Sequence, residues 1–79
     1  MGNPEEVPTR MKKLSARNQI EGKVIEVRKG QTTAHVRIAI SNNVVITSSI
    51  TNEAVDDLGL HIGDDVIAVI KASDVMVGK

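Results

Sequence analysis

Between Thr32 and Ile40 the chain alternates so strictly that only a strand with one dry face satisfies the pattern. Ala34, Val36, Ile38 and Ile40 fall on one side, and Thr33, His35 and Arg37 on the other. That period of two is the mark of a half-buried β-strand. Further strand candidates flank it: Ile20 to Arg28, rich in Val and Ile, and Val44 to Ile50. Lys29-Gly30-Gln31 reads as a hairpin turn, with Gly30 supplying a positive φ. Ser41-Asn42-Asn43 reads as a second, because asparagine tolerates the left-handed region.

Thr51 to Gly59 carries the one convincing helical signal. Thr51 is a good N-cap, Glu53 sits in the electropositive first turn, and Gly59 is a C-terminal stop. Val55 and Leu58 are spaced to face a core. His61-Ile62-Gly63-Asp64 is a loop, after which Asp65 to Ile70 and Asp74 to Val77 read as two more strands. Three strands, a short helix and two strands give an all-β fold class: a five-stranded OB-type barrel with the helix between strands 3 and 4.

Residues Met1 to Lys13 differ in character, with two prolines, segregated charge and little hydrophobicity. They are expected to form a flexible lead-in or tag, leaving residues 14–79 as the folded domain. A chain of 79 residues without Phe, Tyr, Trp or Cys has only small aliphatic side chains for its core and no disulfide to supplement it. Oligomerisation is the remaining stabilising device. The strand sequences agree: Val66-Ile67-Ala68-Val69-Ile70 is apolar on both faces, as are Val24-Ile25 and Val44-Val45-Ile46. A barrel with one wet face would alternate more cleanly, so another subunit is expected to cover the outside.

Ten basic and ten acidic residues leave a net charge of zero. No broad positive field exists to attract nucleic acid or anionic lipid, and no aromatic platform exists for stacking bases. The sequence has no apolar run of membrane-spanning length and no signal-peptide core, so a cytoplasmic location is expected.

Two polar knots stand out at strand boundaries. Leu14-Ser15-Ala16-Arg17-Asn18-Gln19 precedes the first strand, and Lys71-Ala72-Ser73-Asp74 interrupts the C-terminal apolar segment. A tetrahedral dianion without protons needs partners that are all donors. Arg17 offers a planar fork and Lys71 a compact charge, which together balance two negative charges. Ser15 and Ser73 add hydroxyls, Asn18 an amide, and Ala16 and Ala72 leave their backbone N–H groups unshielded. Thr51 and the first N–H groups of its helix, from Asn52 onward, form a third element. Charge-assisted bonds of this kind contribute about 1.5–3 kcal/mol each. Individually, each residue also has a bland reading: Arg17 as a surface ion-pair residue, Lys71 as a strand end paired with Asp74, Thr51 as a helix cap.

Other constellations carry less. His35 and His61 lack metal-ligand spacing. Asp56-Asp57 and Asp64-Asp65 read as a polar helix face and a turn, and Ser48-Ser49 has no nearby base. No catalytic residue and no directly coordinated metal cation is expected.

Ser15-Ala16-Arg17-Asn18-Gln19 followed by Gly22-Lys23-Val24 resembles the opening of the molbindins, the Mop family of molybdate- and tungstate-binding proteins. Ile50-Thr51-Asn52-Glu53-Ala54 through Leu58-Gly59-Leu60 is similar to the family's helix segment, and Ala68 to Gly78 to its ending. The resemblance spans Leu14 to Gly78. It implies an OB-type (TOBE-like) barrel, usually assembled as a homohexamer, a trimer of dimers, with oxyanions at subunit interfaces. By position, Ser15, Ala16 and Arg17 would come from one subunit. Thr51, Lys71 and Ala72 would complete the site, with Asn18, Asn52 and Ser73 in support.

The expected function is therefore non-enzymatic: binding molybdate or tungstate for intracellular storage and homeostasis, with no cofactor, nucleic acid or membrane involved. The rival readings are a ligand-sensing domain of a molybdate-responsive transcription regulator, an accessory domain of a molybdate ABC transporter ATPase, and an OB-fold nucleic-acid binder.

Overall fold

The computed structural model describes residues 17–41 and 43–79. The lead-in at residues 1–13, together with Ser15, Ala16 and Asn42, lies outside the described residues. The chain folds as β1 (Asn18–Lys29), β2 (Thr33–Ser41), β3 (Val44–Thr51), α1 (Asn52–Leu58), β4 (Asp65–Ile70) and a single 3-10 turn (Ala72–Asp74). All strand pairings are antiparallel, in the order β3-β2-β1-β4. The first half of β1 pairs with β4 and the second half with β2. A bulge between Val24 and Glu26 lies where the pairing with β2 is established, and such an irregularity bends and twists a strand.

The alternation in β2 has its expected consequence. Ala34, Val36 and Ile38 are buried, while Thr33, His35 and Arg37 are exposed. With Val24, Val55 and Ala68 they form the core, lined further by Ile20, Val27, Ile40, Ile46, Ile50, Leu60 and Val66. Its two largest fully buried side chains are valines. The core is thin, as a chain without aromatics dictates.

The second turn uses Asn43 at φ 60, the left-handed conformation that asparagine adopts with least strain. The first turn differs from expectation. Gly30 does not have a positive φ; its N–H closes onto the Thr33 carbonyl at 2.7 Å, and an added Cβ would lie 3.0 Å from that same oxygen. Glycine is favoured there by crowding, not by handedness.

Helix α1 is capped as its sequence requires: the Ala54 N–H donates to Thr51 Oγ1 at 3.0 Å, and Gly59 adopts φ 62. Val55 is buried, but Leu58 is 67% exposed and does not face the core. The left-handed residue at Gly59 reverses the chain, and the Leu60 N–H returns to the Val55 carbonyl at 3.1 Å. Leu60 thereby takes the core position that helical spacing assigned to Leu58.

The expected count of five strands is corrected to four. Asp74 lies in the 3-10 turn, where its N–H bonds the Lys71 carbonyl at 2.9 Å, and residues 75–79 form no strand. Val75 is half exposed, and Met76 and Val77 are more than nine-tenths exposed. The turn directs them away from the sheet that their apolar composition was expected to extend.

Candidate oxyanion site

The register of β1 against β4 gathers part of the predicted site. Asn18 pairs with Ile70, so the chain positions that flank this last rung on its outer side are Arg17 and Lys71. The Asn18 amide Nδ2 adds a bond to the Ile70 carbonyl at 3.2 Å. Ala72 and Ser73 follow directly, at the start of the 3-10 turn, and their N–H groups have no backbone acceptor among the described residues. Arg17, Lys71, Ala72 and Ser73 are all exposed.

The electrostatics at this end are distinctive. Among the described residues, Lys23 pairs with Asp65 at 2.7 Å and Lys29 with Asp56 at 2.6 Å, while Arg28 and Arg37 both approach Glu26. Among the same described residues, Arg17 and Lys71 have no such carboxylate partner, and Asp74 does not pair with Lys71. Like charges opposite one another at a strand end are mutually unfavourable. A doubly charged anion between them would turn that repulsion into two attractive contacts.

Thr51 and Asn52 are not brought to this end. Thr51 pairs with Thr33, and Asn52 bonds the turn that follows β1, its N–H to the Thr32 carbonyl and its Nδ2 to the Gly30 carbonyl, each at 2.9 Å. They therefore lie beside the far end of β1. At about 3.3 Å per residue, most of the length of that strand separates them from Arg17, much more than one tetrahedral anion spans. Thr51 Oγ1 accepts from Ala54, yet its own O–H proton remains free to donate.

Asn52 is poorly suited to an anion. Its backbone N–H and one of its two Nδ2 hydrogens are committed, and its Oδ1 is a buried acceptor without a partner among the described residues, which calls for a donor instead. The first-turn N–H groups of Asn52 and Ala54 are likewise occupied. Nothing in the sequence marked Asn52 as a brace for the β1–β2 turn, because the signal is the tertiary position of Gly30.

Two open grooves, of about 550 and 420 Å³, lie elsewhere: one between α1 and the end of β1, the other around Gly22 and Ile40. Neither is lined by a residue expected to hold the anion. His35 and His61 are exposed, and no cluster suited to a metal ion occurs among the described residues. No helix among them is long and apolar enough to cross a membrane.

Residues 14–77 match the TOBE domain. The chain is 45% identical over 64 residues to molybdenum-pterin-binding protein 3 of Clostridium pasteurianum, covering 81% of this chain and 94% of that protein. Its fold superposes on MopII from the same organism with a TM-score of 0.79 and 42% identity, over 85% of this chain and 100% of the other. It superposes on a molybdate binding protein from Sporomusa ovata with a TM-score of 0.81 and 35% identity, over 86% and 100%. The mostly-β, OB-like plan with one helix is common to them. The chain belongs to the TOBE domain family and, within it, to the molbindin (Mop) group of short molybdenum-pterin-binding proteins.

Proposed function

We propose that this protein binds molybdate or tungstate as the free oxyanion, at sites completed between copies of itself, and stores it in the cytoplasm without transforming it. The observation that carries this reading is the unpaired juxtaposition of Arg17 and Lys71 beyond the Asn18–Ile70 rung. Two cations with no carboxylate partner, beside the Ala72 and Ser73 N–H groups that have no backbone acceptor, all among the described residues, make a donor-only cradle for a dianion. Ser15 and Ala16, next to Arg17 in sequence, would add a hydroxyl and a backbone N–H.

The cradle is half of a site. Thr51 belongs to the opposite end of β1, so its hydroxyl reaches the anion only from a second copy. Exposed apolar surface supports such an assembly: Ile25, Val44, Val45 and Val69 on the sheet, and the Val75–Val77 segment beyond it. Packing of these surfaces against neighbouring copies would bury them and bring separated donors together, with a hexamer as the expected assembly. Residues 14–79 are assigned as the binding domain.

Native mass measured alongside calorimetry with molybdate, tungstate and sulfate tests the reading. It requires an oligomer that binds the two larger anions with measurable heat. A monomer, or an oligomer indifferent to both, overturns it.

A further inference from the structure

We propose that Asn18 is a positioning residue, a clamp between β1 and β4 that holds Arg17 and Lys71 at the separation a large tetrahedral dianion needs. This rests on the oxyanion reading above and assigns the residue that sets its size selectivity.

Asn18 opens β1 and pairs with Ile70, the last residue of β4. A terminal rung is where a ladder frays first. Here the next positions outward are two cations with no carboxylate partner among the described residues, so electrostatic repulsion adds to that tendency whenever the site is empty. The Asn18 side chain opposes it. Its Nδ2 donates to the Ile70 carbonyl at 3.2 Å, a link additional to strand pairing. Asn18 is half-buried while Arg17 and Lys71 are exposed, so the link is better shielded from water than the charges beyond it. The same bond ties the amide to the protein and leaves it less free to turn toward a ligand.

Molybdate and sulfate carry the same charge and the same tetrahedral shape, so a donor set can separate them only by size. A site whose two cations drift independently can close around the smaller ion as readily as the larger. Holding the β1 and β4 main chains together at Asn18 and Ile70 fixes where Arg17 and Lys71 begin. The clamp thus acts through the spacing of other residues.

The test compares the full-length wild-type protein with Asn18→Leu, which removes the amide at similar volume, and Asn18→Gln, which restores it on a longer stem. Amide hydrogen exchange without ligand reads the clamp, and calorimetry with molybdate and sulfate reads the site. Loss of one hydrogen bond is expected to speed exchange at the outer β1–β4 rungs, Gln19–Ile20 and Val69–Ile70, and to weaken molybdate by about tenfold each. Exchange in β2 and sulfate affinity should change little, and Asn18→Gln should recover most of both losses.

Unchanged exchange with loss of both anions would make Asn18 a direct ligand and overturn the proposal. Faster exchange with equal loss of both anions would overturn its role in selectivity. If the wild type binds neither anion while Asn18→Leu still loosens the outer β1–β4 rungs, the oxyanion reading fails and the clamp stands. Should the leucine variant not fold, Asn18→Ser, whose hydroxyl is too short to reach Ile70, carries the same comparison.

Discussion

Arg17 immediately precedes, and Lys71 immediately follows, the two residues of the outermost β1–β4 rung, Asn18–Ile70, and neither has a carboxylate partner among the described residues. Both are exposed, so neither contributes to the core. On the proposed reading, Arg17→Ala and Lys71→Ala should each weaken molybdate by roughly 10- to 100-fold, the effect of losing a charge-assisted hydrogen bond. Thermal unfolding should hardly move. Calorimetry and a melting curve on the same samples decide it, and unchanged affinity in both variants would remove the site assignment.

Thr51 separates two roles by chemistry. Thr51→Val deletes the Oγ1 acceptor of the Ala54 N–H and should cost about 1 kcal/mol of stability, whereas Thr51→Ser should retain the cap. If the threonine hydroxyl also meets the anion from a second copy, the valine variant loses affinity in excess of its stability defect. Urea denaturation with and without molybdate distinguishes the two, because a pure capping role leaves the ligand-induced shift intact.

Gly22 has no room for a side chain. A Cβ there would lie 2.6 Å from Ile38 Cγ2, 2.7 Å from the Ala39 carbonyl oxygen and 2.8 Å from Ile40 Cδ1. One of those contacts is backbone and cannot rotate away. Gly22→Ala should therefore destabilise by about 1–3 kcal/mol through overpacking, read as a lower denaturation midpoint. A variant as stable as the wild type would show that β1 and β2 can separate at this point.

The exposed Val75–Val77 segment bears on assembly. Replacing Val75 and Val77 with aspartate introduces two charges per chain on a surface that would be buried between copies. Light scattering should report a smaller particle, and molybdate affinity should fall with it even though the cradle residues are unchanged. A full-size oligomer with normal binding would place the interface elsewhere.

Much of this molecule was legible from residue order. Strict alternation located β2 and its dry face, and Thr51 with Gly59 bounded the helix to within a residue. Elsewhere local pattern was insufficient. Val55 and Leu58 share a helical face in sequence, but a seven-residue helix followed by a left-handed glycine leaves the second core contact to Leu60. Val75 to Val77 looked like a strand because it is apolar; composition signals burial without saying which chain provides the cover. The site was legible as chemistry, in the donor types of Arg17, Lys71 and their neighbours, but not as geometry. The register that sets Arg17 beside Lys71, and the commitment of Asn52 to the Gly30 turn, are tertiary facts.

Among the described residues, the strand order β3-β2-β1-β4 leaves each outer strand with one edge that no further strand pairs, and Val44, Val45 and Val69 present apolar side chains along them. Such borders are templates for uncontrolled stacking. A symmetric particle that closes on itself would use them up, whereas a chain that fails to find its proper neighbours would keep adding copies. On the proposed assembly, solubility would be tied to correct association, and damage to the contact surfaces would appear first as precipitation.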